Sequence, residues 1–364
     1  MVDIIENIAG EEDSYSNDDL YNISSWGADL SFREIISMYD EGDLVKPELQ
    51  RKYVWSKEEA SRFIDSILLG LPVPSVFFAK ETNETQLIVD GYQRIMTVHD
   101  YVKGVFSKDE KIFKLSNTDS INSRWRGKAF KELTTEEQRR IRNTTIHAIV
   151  FEQKYPCNNT GMYQIFERIN TGGRTLKPQE IRNCVYQGEF NKLLFNLNKN
   201  KNWRTIIGEQ EDSRMMDLEL ILRYFAIKEL YLNKDSAVQI NLVKFLNEYM
   251  GKYQHIQSDL YDINKKEFES VIQIVYDGIS TNAFRNLKKN MTEFTNKVSP
   301  SIFDAITVST YLAIENKKEV KNLAEKYVKL CSNEEFIDVT SQHTTNIKNI
   351  FRRIDLAYQY LYEE

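Results

Sequence analysis

The chain has 364 residues, of which 41% are hydrophobic and 28% charged, and its 48 basic and 54 acidic side chains leave a formal net charge of −6. That length favours about two domains, and the apolar share is enough for real cores. The negative balance excludes a uniformly basic nucleic-acid coat, although not a local basic face.

Residues 1–28 begin MVDIIENIAGEEDSYSNDD, acidic and with little to bury, and are expected to be a disordered tail. Order is expected from Ser31, where SFRE places Ser31 and Glu34 as a capping box for a helix that Gly42 closes. SKEE (Ser56 with Glu59) opens a second helix, FIDSILL, stopped by Gly70 and Pro72. The period then changes. PSVFFAKE and QLIVDG are short runs rich in β-branched and aromatic residues, and the polar TNET between them makes a β-hairpin the expected form. After Gly91, the residues Ile95, Val98 and Val102 fall at helical spacing up to Gly104. A short helix from TTEEQRR and a strand at residues 144–153 complete an α+β domain over residues 29–158.

From residue 159 onward strand signals disappear. MYQIFERIN, QEIRNCVYQ, MMDLELILRYFAIKELYL, VQINLVKFLNEYM, FESVIQIVYDGI, PSIFDAITVSTYLAI, VKNLAEKYVKL and TTNIKNIFRRIDLAYQYLY all step by three and four. Residues 159–364 are therefore expected to form an all-helical domain. Three cysteines (Cys157, Cys184, Cys331) and four histidines (His99, His147, His255, His343) make no CxxC, HxH or HxxxH spacing, so neither a disulfide framework nor a zinc site is expected. No basic-then-apolar leader opens the chain, and no apolar run reaches the roughly 18–20 residues that span a bilayer. A cytoplasmic, reduced protein without a membrane partner is expected.

Four polar clusters interrupt these patterns: LQRKYVW (residues 49–55), DGYQR (90–94), ERINTGGRTLKPQEIRN (167–183) and SRMMDLELILR (213–223). In DGYQR, Gly91 permits a positive φ and close backbone approach, and the helix start behind it offers unsatisfied N–H groups to an anion. Arg94 adds a planar fork suited to phosphate and Gln93 a neutral donor, while Asp90 can hold Mg²⁺ or orient a water. The plainer reading is a tight turn in which Asp90 caps the helix and pairs with Arg94. INTGGR can form an anion-binding nest, or simply a C-cap and linker. Tyr53 and Trp55 alternate with Arg51 and Lys52, which suits base stacking beside a phosphate contact or an ordinary half-buried strand. The basic stretch at residues 123–143 suits a DNA-facing patch or a solvated helix face. A metal site from Asp90, Glu167 and Glu180, as in a nickase, requires three carboxylates to converge.

Taken together and in order, LQRKYVW, FIDSILLGLPVPSVFF, IVDGYQR and FERINTGGRTLKPQEIRN resemble the ParB-like "DGQQR" proteins. This is domain-of-unknown-function family 262, which also forms the N-terminal part of GmrSD-type restriction enzymes. The resemblance covers about residues 30–225, so that 159–225 carry part of the motif set within the helical region. It implies a ParB/sulfiredoxin-like, nucleotide-binding core and a role, with NTP binding or hydrolysis, in prokaryotic defence against foreign or modified DNA. Transferred to this sequence, Asp90, Gln93 and Arg94 would be catalytic. Gly91 and Tyr92 would complete the phosphate site, and Gln50, Arg51 and Tyr53 would lie beside it. Asn170, Thr171, Gly172 and Gly173 would form a second wall, with Gln179, Glu180, Arg182 and Asn183 behind. The implied cofactor is an NTP, with Mg²⁺ where hydrolysis occurs. The implied partners are DNA and a separate nuclease or defence subunit, and oligomers are compatible. Two departures matter: the central Gln-Gln of the family is Tyr92-Gln93 here, and no HNH-like nuclease motif follows. A non-hydrolysing DNA-binding or regulatory module, or a metal-dependent nickase, are the alternatives that remain.

Overall fold

The computed structural model describes residues 4–7, 11, 23–46, 53, 55–81, 84–153, 160–169, 176–234, 238–288 and 293–363. The chain divides into two compact units, one of residues 18–175 and one of residues 1–17 with 176–364.

In the first unit, β1 (Ile23–Ser31) runs into α1 (Phe32–Glu41), followed by β2 (Leu44–Val45), α2 (Lys57–Leu69), β3 (Val76–Lys80), β4 (Gln86–Asp90) and α3 (Tyr92–Lys103). A small ribbon of β5 (Val105–Phe106) and β6 (Lys111–Ile112) precedes α4 (Thr135–Asn143), β7 (Thr145–Gln153) and α5 (Thr160–Ile169). Both expected capping boxes form: Ser31 and Glu34 at α1, Ser56 and Glu59 at α2, each helix closing on a left-handed glycine, Gly42 and Gly70. Such caps satisfy the orphan amides of the first turn and are worth about 1 kcal/mol each. The sheet is mixed, in the order β1-β7-β3-β4-β2. β3 and β4 form the expected antiparallel hairpin, and β3 lies parallel to β7. Alternate residues of the central strands, Val76 and Phe78, Ile88, Ile146, Ala148 and Val150, share one core with Phe32, Ile35, Ile64, Ile67, Ile95, Val98 and Ile141 of the helices. This is the period-two face of each strand meeting the apolar stripe of each helix.

The second unit holds α6 (Pro178–Val185), α7 (Glu189–Asn198), α8 (Lys201–Ile207), α9 (Met216–Asn233), α10 (Leu242–Tyr253) and α11 (Ser258–Ile279). There follow β8 (Arg285–Leu287), β9 (Phe294–Val298), α12 (Pro300–Glu315), α13 (Leu323–Cys331), α14 (Glu334–Ser341) and α15 (Ile347–Tyr358). α9 and α12 are apolar around most of their circumference and are accordingly buried almost throughout. Ile227 and Leu230 of α9, Val308 of α12 and Ile347, Ile350 and Ile354 of α15 form one core. No helix of the described residues is long and apolar enough to cross a membrane.

Four features depart from the sequence-based expectation. β1 occupies residues expected in the tail, pairing over nine residues with β7, from Ile23↔Gln153 to Ser31↔Thr145. It is an edge strand held through its backbone, so ISSWGADLS needs no hydrophobic alternation. Ile5 and Glu11, also expected in the tail, are buried in the second unit. That unit is helical but not all-helical, because β8 and β9 pair antiparallel. RNL and FTNKV are too short and too polar for a period-two signal. The division itself falls between Thr175 and Leu176, which leaves α5 with the sheet.

Candidate functional site

β4 emerges from the core at the exposed Asp90, and the chain turns at Gly91 with φ 103° before α3 begins at Tyr92. A Cβ at Gly91 would stand 2.3 Å from Cγ1 of Val76, which is fully buried on β3, so the turn requires glycine for space as well as for φ. α3 starts without a side-chain cap. Asp90 does pair with Arg94, which donates from Nη2 to Oδ2 at 2.6 Å, but among the described residues it makes no cap bond to the helix. Arg94 also donates from Nη1 to the Pro74 carbonyl at 3.3 Å. Among the described residues these bonds engage two of its five N–H donors. The Asp90 side chain is 53% exposed. The Arg94 side chain is 14% exposed, so the pair is open to solvent on the carboxylate side and sheltered on the guanidinium side.

The neighbours of this turn face inward. Gln93 accepts the Trp55 N–H on Oε1 at 3.3 Å. Its carbonyl accepts the Thr97 hydroxyl at 2.7 Å, and Thr97 in turn bonds the Tyr53 hydroxyl at 2.7 Å. Tyr53 is buried, its ring edge-on to Phe106 at 5.3 Å; this ring is a core residue rather than a platform for a base. Tyr92 belongs to the same core. Burial, reinforced by Tyr39 and Asp100, pushes its phenol up to about 12, so it stays protonated at neutral pH and supplies no base. Lys46 lies 5.9 Å above its ring. Pro74, Val76, Thr97 and Lys46 were not identifiable from sequence, because a carbonyl acceptor or a packing neighbour has no spacing signature.

Further along α3, His99 bonds Asp100 through Nδ1 at 3.4 Å and Asp40 through Nε2 at 3.1 Å, with Lys103 on Asp40 at 2.6 Å and Tyr39 edge-on at 5.3 Å. The bond to Asp100, against the opposing effect of burial and with help from Asp40, raises the imidazole above its ordinary 6.5. A raised pKa contributes stability that is complete below the unfolded value and lost as pH rises through the folded value. The unit should therefore weaken as pH climbs above 6.5, and urea midpoints of His99→Gln should lack that slope. Equal slopes for the two proteins would contradict this assignment.

Gln50, Arg51, Asn170, Thr171, Gly172 and Gly173 lie outside the described residues. Gln179, Glu180, Arg182 and Asn183 are all buried on α6. Arg182 donates to Asn247 at 2.8 Å, Glu219 at 2.8 Å and Gln179 at 3.1 Å. Glu180 faces Arg214 at 2.9 Å, and Asn183 accepts from Asn191 at 2.8 Å. The third polar cluster is thus tied to the fourth, whose Asp217 also pairs with Arg204 at 2.8 Å. In the basic stretch, Arg126 is engaged with Asp119 at 2.9 Å and Arg142 lies over Phe130 at 5.0 Å. Among the described residues no three His, Cys, Asp or Glu side chains converge as a metal requires; Asp90 and Glu167 lie in the first unit and Glu180 in the second.

The structure brings Asp90, Gly91, Gln93 and Arg94 together in the first unit, and Gln179, Glu180, Arg182 and Asn183 in the second. No curated protein matches the chain. A family model described as "GmrSD restriction endonuclease, N-terminal domain" matches residues 32–187, a span that contains both the DGYQR turn and α6. Over residues 32–187 this chain is similar to the N-terminal domain of GmrSD restriction endonucleases.

Proposed function

We propose that this protein binds an NTP at the turn between β4 and α3 and acts in restriction of foreign or modified DNA. The family of residues 32–187 supports the restriction role. The observation that carries the nucleotide reading is the turn itself: a glycine at φ 103°, an α3 start without a side-chain cap, and Arg94 held, among the described residues, by an exposed carboxylate and one carbonyl. A phosphate there meets first-turn amides and a guanidinium fork. The mixed sheet with its helices is assigned to the ParB/sulfiredoxin-like type on the same reasoning. Mg²⁺ enters with the NTP, DNA is the target, and a separate nuclease or defence subunit in the cytoplasm makes the cut.

The second reading is a binder without turnover. Tyr92 favours it, because its phenol is packed in the core where the family pattern carries an amide that could orient a water. Calorimetric titration with each NTP and Mg²⁺ tests binding. Arg94→Ala should weaken it by about tenfold to a hundredfold, the worth of one or two charge-assisted hydrogen bonds. An absence of binding to any NTP, or an Arg94→Ala protein that titrates like wild type, would remove the nucleotide reading. Phosphate release by wild type identifies an NTPase; release only after Tyr92→Gln identifies a binder.

A further inference from the structure

The second unit contains a buried charge cluster that neither the family nor the nucleotide reading uses. Arg223 of α9 and Arg353 of α15 both bond Asp304 of α12: Arg223 at 3.1 and 2.6 Å, Arg353 at 2.7 Å. All three side chains are essentially inaccessible to solvent. Two guanidinium groups against one carboxylate leave one positive charge uncompensated. A buried charge of this kind is not tolerated without a partner. The partner comes from far away in sequence. Glu11 accepts from Arg223 Nη1 at 2.6 Å and Nη2 at 3.4 Å, and from the Thr344 hydroxyl at 2.8 Å.

The same segment is anchored a second time. Ile5 is buried and bridges Val298 of β9 in parallel, Glu6 N–H donates to the Val298 carbonyl at 2.9 Å, and Val298 N–H donates to the Ile4 carbonyl at 2.9 Å. Asn286 Nδ2 reaches both oxygens of Glu6 at 3.2 and 3.3 Å. Residues 4–7 therefore extend the edge of the β8–β9 ribbon, and Glu11 delivers one carboxylate to the arginines. Arg223, Asp304 and Arg353 come from α9, α12 and α15, and Thr344 from the turn between α14 and α15. The geometry of a guanidinium fork plus a hydroxyl is that of an oxyanion receptor. Arg353 adds a further buried donor, Nε, which has no hydrogen-bond partner among the described residues.

We propose that Arg223, Arg353 and Thr344 form an oxyanion-binding site in the helical unit, that Glu11 is its built-in carboxylate ligand, and that withdrawing Glu11 opens the site to an external phosphate or carboxylate. Residues 4–7 and Glu11 then act as a strap over a site of defined charge.

The test is chemical rescue in the full chain. Glu11→Ala leaves a vacant site with one excess positive charge and should melt roughly 10 °C below wild type in chloride buffer. Inorganic phosphate or acetate, at matched ionic strength, should restore the melting temperature with saturation, as a ligand binding only the folded form must. Wild type, whose site is filled, should respond no more than in chloride. Glu11→Gln should melt low but gain nothing from either anion, since the amide fills the space without the charge. Rescue by phosphate alone, or by acetate alone, identifies which oxyanion the site takes. If Glu11→Ala does not fold in chloride, refolding yield with and without phosphate or acetate replaces the melting temperature. A Glu11→Ala protein that melts like wild type, or that neither anion stabilises more than wild type, overturns the proposal.

Discussion

Arg182→Met is expected to destabilise the helical unit by about 3–5 kcal/mol, the usual cost of removing one partner from a buried, hydrogen-bonded ion pair. For a unit of this size that is a fall in melting temperature of roughly 6–20 °C. The guanidinium satisfies Glu219, Asn247 and Gln179 at once, at 2.8, 2.8 and 3.1 Å. Methionine fills much of the volume but takes away the donors that Arg182 gives to a buried carboxylate and two amide oxygens. The double variant Arg182→Met with Glu219→Leu should recover part of the loss, because it removes the orphaned charge along with its partner. Arg182→Lys should fall between, since a single ammonium cannot span three acceptors in different directions. Calorimetry of the four proteins measures all of this. A loss below 1 kcal/mol, accompanied by a loss of NTP binding, would instead mean that Arg182 is a ligand group and that α6 belongs to the nucleotide site. The structure argues against that outcome, because the donors of Arg182 are already directed at protein acceptors.

Gly91→Ala is expected to cost about 2–5 kcal/mol in the first unit. Part is backbone: a left-handed conformation costs a residue with a Cβ about 1–2 kcal/mol. The rest is steric: the new methyl would sit 2.3 Å from Val76 Cγ1 and 2.9 Å from its Cβ. Val76 cannot withdraw, because β3 is a central strand between β7 and β4; forcing extra volume into such a core costs about 1–3 kcal/mol. Val76→Ala should relieve part of the steric cost only, because it removes Cγ1 but keeps the Cβ at 2.9 Å. The pair should therefore be less destabilised than the sum of the singles, by about 1–2 kcal/mol, with the backbone strain remaining. Urea unfolding followed through Trp125, buried in the same core, gives the energies. A Gly91→Ala protein within 0.5 kcal/mol of wild type would mean that the turn does not need glycine, and would weaken the case that its backbone is shaped for close approach of a ligand.

Much of the first unit was legible because its signals are local. A capping box is complete within four residues, so the starts of α1 and α2 could be placed at Ser31 and Ser56. The β3–β4 hairpin and the glycine-led start of α3 follow from composition and spacing within 20 residues. β1 was not legible, because an edge strand is secured by backbone bonds to β7, over a hundred residues away. The β8–β9 ribbon was missed because RNL and FTNKV are too short to show a period of two and pair through their backbones.

The candidate site divides along the same line. The sequence by itself determined that residues 90–94 form a glycine turn between a strand and a helix, and that Asp90 and Arg94 stand one helical turn apart. Only the tertiary structure decided which polar clusters are engaged elsewhere. Tyr53, Tyr92 and Arg182 have the chemistry of ligand-binding groups in a linear reading, yet the fold assigns two to cores and the third to a buried network. Arg182 finds Glu219 at a separation of 37 residues, and Arg223 finds Glu11 at 212. A charge in a sequence states only that a partner is needed. Which partner supplies the opposite charge, and whether water reaches the pair, depends on how distant segments pack, because Coulomb attraction and desolvation act through space and not along the chain.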